Sequence, residues 1–117
     1  MNDETHYQLL KLIEANPKMS QRELADAMGV SLGKTNYCLR AVVDRGLVKV
    51  KNFKANPNKR VYAYYLTPKG AAEKAKVTAR FLKRKIDEYQ GLTVQIEQLK
   101  QEVEEMSLSA EESKEQA

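Results

Sequence analysis

The segment that most narrows the folding choices of this chain runs from Ser20 to Gly46, "SQRELADAMGVSLGKTNYCLRAVVDRG", because it carries start and stop signals for two consecutive helices. Ser20 and Glu23 have the spacing of a capping box. The Ser hydroxyl can accept from the amide three residues on while the Glu carboxylate reaches back to the Ser amide. Leu24, Ala25 and Met28 then form an apolar stripe, and Gly29 suits a left-handed helix end. Ser31 can cap again. Leu32, Thr35, Leu39, Val42 and Val43 follow at spacings of three and four, and Gly46 closes the second helix. Two helices joined by so short a glycine-containing turn have the signature of a helix-turn-helix.

The flanks complete a small domain. From Asp3 to Ala15, Tyr7, Leu9, Leu10, Leu12 and Ile13 lie near helical spacing, and Pro17 in "NPK" stops that helix by forcing its neighbour out of the α region. After Gly46, "LVKVKNF" (47–53) alternates apolar and basic residues, and "VYAYYL" (61–66) is rich in β-branched and aromatic ones, so both read as strands. Between them, Asn56, Pro57 and Asn58 form turns. Residues 1–66 are therefore expected to fold as a winged helix-turn-helix, mostly α with a small β-hairpin wing.

A different periodicity governs the rest. Thr67 and Pro68 open a helix, and no proline interrupts it before about Met106. Ala75, Ala79, Leu82, Ile86 and Tyr89 alternate steps of four and three, and Leu92, Ile96, Leu99, Val103 and Met106 repeat the rhythm. The step from Tyr89 to Leu92 is one residue short. A local kink or overwinding is expected there, near Gly91. A long coiled-coil helix is predicted over 67–107, with 108–117 a frayed acidic tail.

Charge divides along the chain. Residues 1–86 hold 18 Lys and Arg against 7 Asp and Glu, a balance of +11; residues 87–117 hold 2 against 9, a balance of −7. A basic body with an acidic extension fits a polyanion-binding domain joined to a segment that stays off the polyanion. The outward positions of the second helix of the pair carry Gly33, Asn36, Tyr37, Arg40 and Asp44, with Lys34 at the shoulder. In a helix-turn-helix this helix enters the DNA major groove. Asn36 can pair bidentately with adenine and Arg40 with guanine, while Lys34 and Tyr37 can take a phosphate or a base edge. Gly33 permits close backbone approach, and the amides after Ser31 attract phosphate. Ser20 and Gln21, which start the preceding helix, join this DNA-facing set. Lys54, Asn58, Lys59 and Arg60 on the hairpin tip would lie along phosphates or in the minor groove.

The long helix needs a partner for its seam, and a second copy meets that need. The dimerisation set is Leu82, Ile86, Tyr89, Leu92, Ile96, Leu99, Val103 and Met106. A two-fold dimer presents two reading helices to successive major grooves, so its operator is expected to be an inverted repeat with half-sites about 34 Å apart.

Together with this order of elements, "SQRELADAMGVSLGKTNYCLRAVVDRGLVKVKNF" resembles the MarR-type winged-helix transcriptional regulators of bacteria, in particular a small branch associated with exopolysaccharide gene clusters. The resemblance implies a dimeric DNA-binding regulator with its reading helix at Ser31 to Arg45 and its wing at Phe53 to Val61. Typical members have a longer N-terminal helical region that helps to shape a phenolic-ligand pocket, and this departure argues against a small-molecule effector of that kind.

Other classes fit less well. His6 has no evident catalytic companion, and His6 and Cys38 lack the paired spacing of metal ligands, so neither an enzyme, a metal nor a cofactor is expected. Cys38, beside Leu39 and Val42, reads as a small core residue. No apolar run reaches the roughly 20 residues of a membrane span, and the acidic, polar start does not read as a signal peptide, so a cytoplasmic location is expected. The alternatives are a winged-helix adaptor that binds protein through its coiled coil, and an architectural protein that binds DNA without sequence preference.

Overall fold

The computed structural model describes residues 1–56 and 59–116, and only the backbone of 53–56, 59–60 and 116. Its order is α1 (Asp3–Ala15), α2 (Gln21–Met28), α3 (Leu32–Asp44), β1 (Val48–Asn56), β2 (Lys59–Leu66) and α4 (Pro68–Gln116). Two compact units divide at Phe81/Leu82. The first includes the start of α4, whereas the sequence places the boundary at 66/67.

Local chemistry sets the helix ends. Ser20 Oγ accepts from the Glu23 amide at 3.1 Å and Glu23 Oε1 accepts from the Ser20 amide at 3.3 Å, the expected capping box. Gly29 takes the left-handed conformation at φ 67° that ends α2. Ser31 Oγ accepts from the Lys34 amide at 3.1 Å and starts α3. Thr67 Oγ1 accepts from the Gly70 amide at 3.0 Å, with Pro68 at the first position of α4 as expected.

Leu9, Leu10 and Ile13 of α1, Leu24 and Met28 of α2, and Cys38, Leu39 and Val42 of α3 form the core with Leu47, Val48 and Tyr64 of the hairpin. Cys38 is the small core residue expected. Leu32 is not part of this core and stays 46% exposed. The buried face of α3 is Thr35, Cys38, Leu39 and Val42. Leu32 lies in the first turn, where its spacing to that stripe does not decide whether anything covers it.

The hairpin is antiparallel, pairing Val48 with Leu66, Val50 with Tyr64 and Asn52 with Tyr62. The Tyr64 amide donates to the Pro17 carbonyl at 2.8 Å, tying β2 to the connection between α1 and α2. The strands run further than their side-chain pattern suggests. Asn56 pairs with Lys59 across a register shift beyond Lys54, because ladder bonds use the backbone and a bulge absorbs the odd residue. The expected turn residues Pro57 and Asn58 lie outside the described residues.

Within the first unit, α4 packs through Gly70 and Val77, both buried, and Phe81, whose ring stacks on Tyr7 at 5.2 Å. Lys74 pairs with Glu14 at 2.7 Å, and Arg80 with Asp3 at 3.4 Å. Ala75 and Ala79, expected to begin the seam, are exposed. At about 100° per residue they lie on the side of α4 opposite Val77. The C-terminus of α3 is joined to the start of α4. Thr67 Oγ1 donates to the Gly46 carbonyl at 2.6 Å, the Thr67 amide to Leu47 O at 3.0 Å, and Lys69 Nζ to Arg45 O at 3.0 Å.

In the second unit, residues 82–116 are one helical segment, unbroken at Gly91. It continues through 108–116, expected to fray, where Leu, Ala, Glu, Lys and Gln all favour helix. Leu82, Ile86, Tyr89, Leu92, Ile96, Leu99, Val103 and Met106 are all 43% exposed or more. Among the described residues, no helix is long and apolar enough to cross a membrane, and no group of three or more His, Cys, Asp or Glu gathers as a metal site.

Candidate nucleic-acid interface

The amphipathic division of α3 creates this surface. Burial of Thr35, Cys38, Leu39 and Val42 turns Gly33, Lys34, Tyr37, Arg40 and Asp44 outward, with Tyr37 69% exposed. Ser31 opens the helix and leaves its first amides at the same end of that face. These groups offer donors, a dipole end and two cations to an anionic surface.

Asn36 is half-buried rather than fully outward. Its Nδ2 donates to Gln21 Oε1 at 3.1 Å, and Gln21 Nε2 donates to Tyr64 Oη at 3.2 Å. The structure therefore brings Gln21 and Asn36 together, fifteen residues apart in sequence, and adds Tyr64 from β2. Ser20 is exposed one residue before Gln21, with its hydroxyl oxygen engaged in the cap.

Beside α3 lies a cleft lined by Gln21, Leu39, Arg40, Val43, Asp44, Val50, Tyr62 and Tyr64. A second, lined by Lys18, Ser20, Gln21, Glu23, Val61, Tyr62 and Tyr64, shares its central residues. Val50 and Tyr62 are 38% and 50% exposed on this surface. The sequence reading missed both, along with Tyr64. The strand pattern puts Tyr62 and Tyr64 on one face of β2, but alternation does not reveal how far α2 and α3 cover that face. Lys49 and Lys51 are exposed on the other face of β1, where Lys51 Nζ sits 5.1 Å from the centre of the Tyr65 ring. Of the expected wing contacts, Asn58 and the side chains of Lys54, Lys59 and Arg60 lie outside the described residues.

Comparison with known proteins identifies this architecture. Residues 2–49 match the family model described as winged helix-turn-helix DNA-binding. No curated protein sequence matches the chain. Among solved structures, it is similar to a MarR family protein of Mycobacterium tuberculosis in complex with p-aminosalicylic acid, at 25% identity and TM-score 0.52 over 64% of this chain and 55% of that one. It is also similar to the transcriptional repressor CouR bound to a 23-mer DNA duplex, at 27% identity and TM-score 0.53 over 62% of this chain and 50% of that one. The transcriptional regulator SlyA shares the fold over 92% of this chain and 75% of its own, with TM-score 0.63 and 20% identity. The chain spans about half the length of the first structures it matches. The winged helix-turn-helix that the sequence motifs suggested is thus matched over residues 2–49, and the solved structures that the chain is similar to include a MarR family protein.

Proposed function

We propose that this winged-helix chain is a transcription regulator that binds double-stranded DNA as a homodimer on an inverted-repeat operator. One observation carries the reading. The second helix of the helix-turn-helix buries Thr35, Cys38, Leu39 and Val42 and turns a polar, cationic face outward. In this role Asn36 and Arg40 read base edges. Gly33, Lys34, Tyr37, Ser31 and Ser20 approach phosphates, and Lys54, Asn58, Lys59 and Arg60 on the wing add a salt-dependent grip.

The dimer reading draws on the row of exposed apolar residues from Leu82 to Met106, which a second copy of the helix would cover. Two reading helices then address successive major grooves, and occupancy of the operator blocks or repositions the transcription machinery. The branch that the sequence resembles makes exopolysaccharide gene clusters the first place to search for such an operator. Nothing in this mechanism requires an effector.

Selection of bound duplexes from a random pool at near-physiological salt tests the proposal. The expected outcome is an enriched inverted repeat with half-site centres about one helical turn apart. Strong retention without a motif would replace it with architectural binding. No retention would move the function of α3 and α4 to protein partners.

A further inference from the structure

The reading helix does not hold Asn36 alone. Asn36 is half-buried at the foot of the outward face, and its amide nitrogen donates to Gln21 Oε1 at 3.1 Å. An amide that faces a base edge freely can present its oxygen and nitrogen either way round, and the two orientations read different bases. In this structure the group facing Asn36 is the Gln21 amide oxygen, an acceptor, and Asn36 turns its nitrogen to it.

Gln21 is fixed in turn. Its own amide nitrogen donates to Tyr64 Oη at 3.2 Å, which holds the Gln21 side chain between β2 and Asn36. Tyr64 is only 7% exposed, packed in the core, and its backbone amide is anchored on the Pro17 carbonyl. The hydroxyl is thus a fixed point set by the fold.

Asn36 retains one N–H and its carbonyl oxygen after the bond to Gln21. Those are the donor and acceptor that a bidentate pair with adenine needs, N–H to N7 and C=O from N6–H. We infer that Gln21 is a specificity-positioning residue: with Tyr64 it orients the Asn36 amide so that α3 reads adenine at one position of the half-site. This rests on the proposal that α3 reads DNA. It differs from a direct Gln21 contact with DNA, because Gln21 acts through Asn36.

The test is a binding comparison in which each base pair of the selected half-site is varied in turn. Full-length wild type, Asn36→Ala, Gln21→Met, Tyr64→Phe and the double variant Gln21→Met/Asn36→Ala are measured on the same duplexes. Asn36→Ala is expected to abolish preference at a single adenine, by roughly tenfold or more. Gln21→Met, which keeps the length but not the acceptor, is expected to lose most of the preference at that same base pair and leave the other positions unchanged. Tyr64→Phe moves the same position by a smaller factor, and Gln21→Met has no further effect once Asn36 is Ala. Gln21→Glu still offers an oxygen to Asn36. It should keep the adenine preference while weakening binding to all sequences alike through its charge.

The outcomes separate the two ideas. If Gln21→Met keeps the wild-type preference at the Asn36 base pair, or changes a different base pair, the positioning role is overturned while the DNA-reading proposal stands. If Asn36→Ala alters no base preference, or wild type selects no motif, both are overturned. Thermal unfolding of each variant, with melting temperatures near wild type, shows that a loss of preference is not a loss of fold.

Discussion

At Gly70 the first turn of α4 passes so close to the Leu47 carbonyl that an added Cβ would collide with backbone. Backbone cannot rotate aside as a side chain does, so Gly70→Ala should cost roughly 3 kcal/mol or more, measured by denaturant unfolding. A second residue-scale prediction concerns His6, 5% exposed, whose Nε2 is buried without a partner among the described residues. Burial, then the Arg45 and Arg80 guanidiniums, hold its pKa below the ordinary 6.5, against the opposing pull of Glu73 and Asp3. The folded state therefore prefers neutral His6. Its contribution is present in full above pH 6.5 and is lost as pH falls below that value toward the folded pKa. Melting temperature should drop on acidification more steeply in wild type than in His6→Gln, which cannot take up the proton. On the outward face, Arg40→Ala should cost about 1–3 kcal/mol on the selected operator and relax preference at one base pair, as titrations on matched and mismatched duplexes would show.

Elements were legible where short-range chemistry decides them. The Ser20/Glu23 box, the left-handed Gly29 and the Thr67 and Pro68 start of α4 each depend on a few neighbouring atoms, and all lie where the residues place them. Periodicity was a weaker guide because it reports spacing, not neighbours. It put Leu32 in the core, where the structure leaves it exposed, and it did not show that α4 meets the winged body through Gly70, Val77 and Phe81. In the candidate interface, the face of α3 could be read from its helical spacing. The Gln21, Asn36 and Tyr64 chain could not, because Tyr64 stands 43 residues from Gln21 and only the fold brings them together. For the wing the prediction stays electrostatic. Lys59→Ala should weaken binding to all sequences alike and lower the slope of log affinity against log salt by about 1.

On the scale of the whole chain, the charge is divided, with cations in excess over residues 1–86 and carboxylates in excess over 87–117. Removing residues 89–117 should turn a dimer into a monomer in light scattering and lower operator affinity, while leaving the winged body folded. A truncated chain that stayed dimeric would place the interface in that body. The joint between α3 and α4 has a further consequence. Because the carbonyls of Arg45, Gly46 and Leu47, at the C-cap of α3 and just beyond it, are held by Thr67 and Lys69, the end of α3 is expected to open together with the start of α4. The amides at the two places should therefore exchange with solvent at one shared rate and through a single cooperative opening, so that the end of α3 is protected as if it lay in the middle of a longer helix.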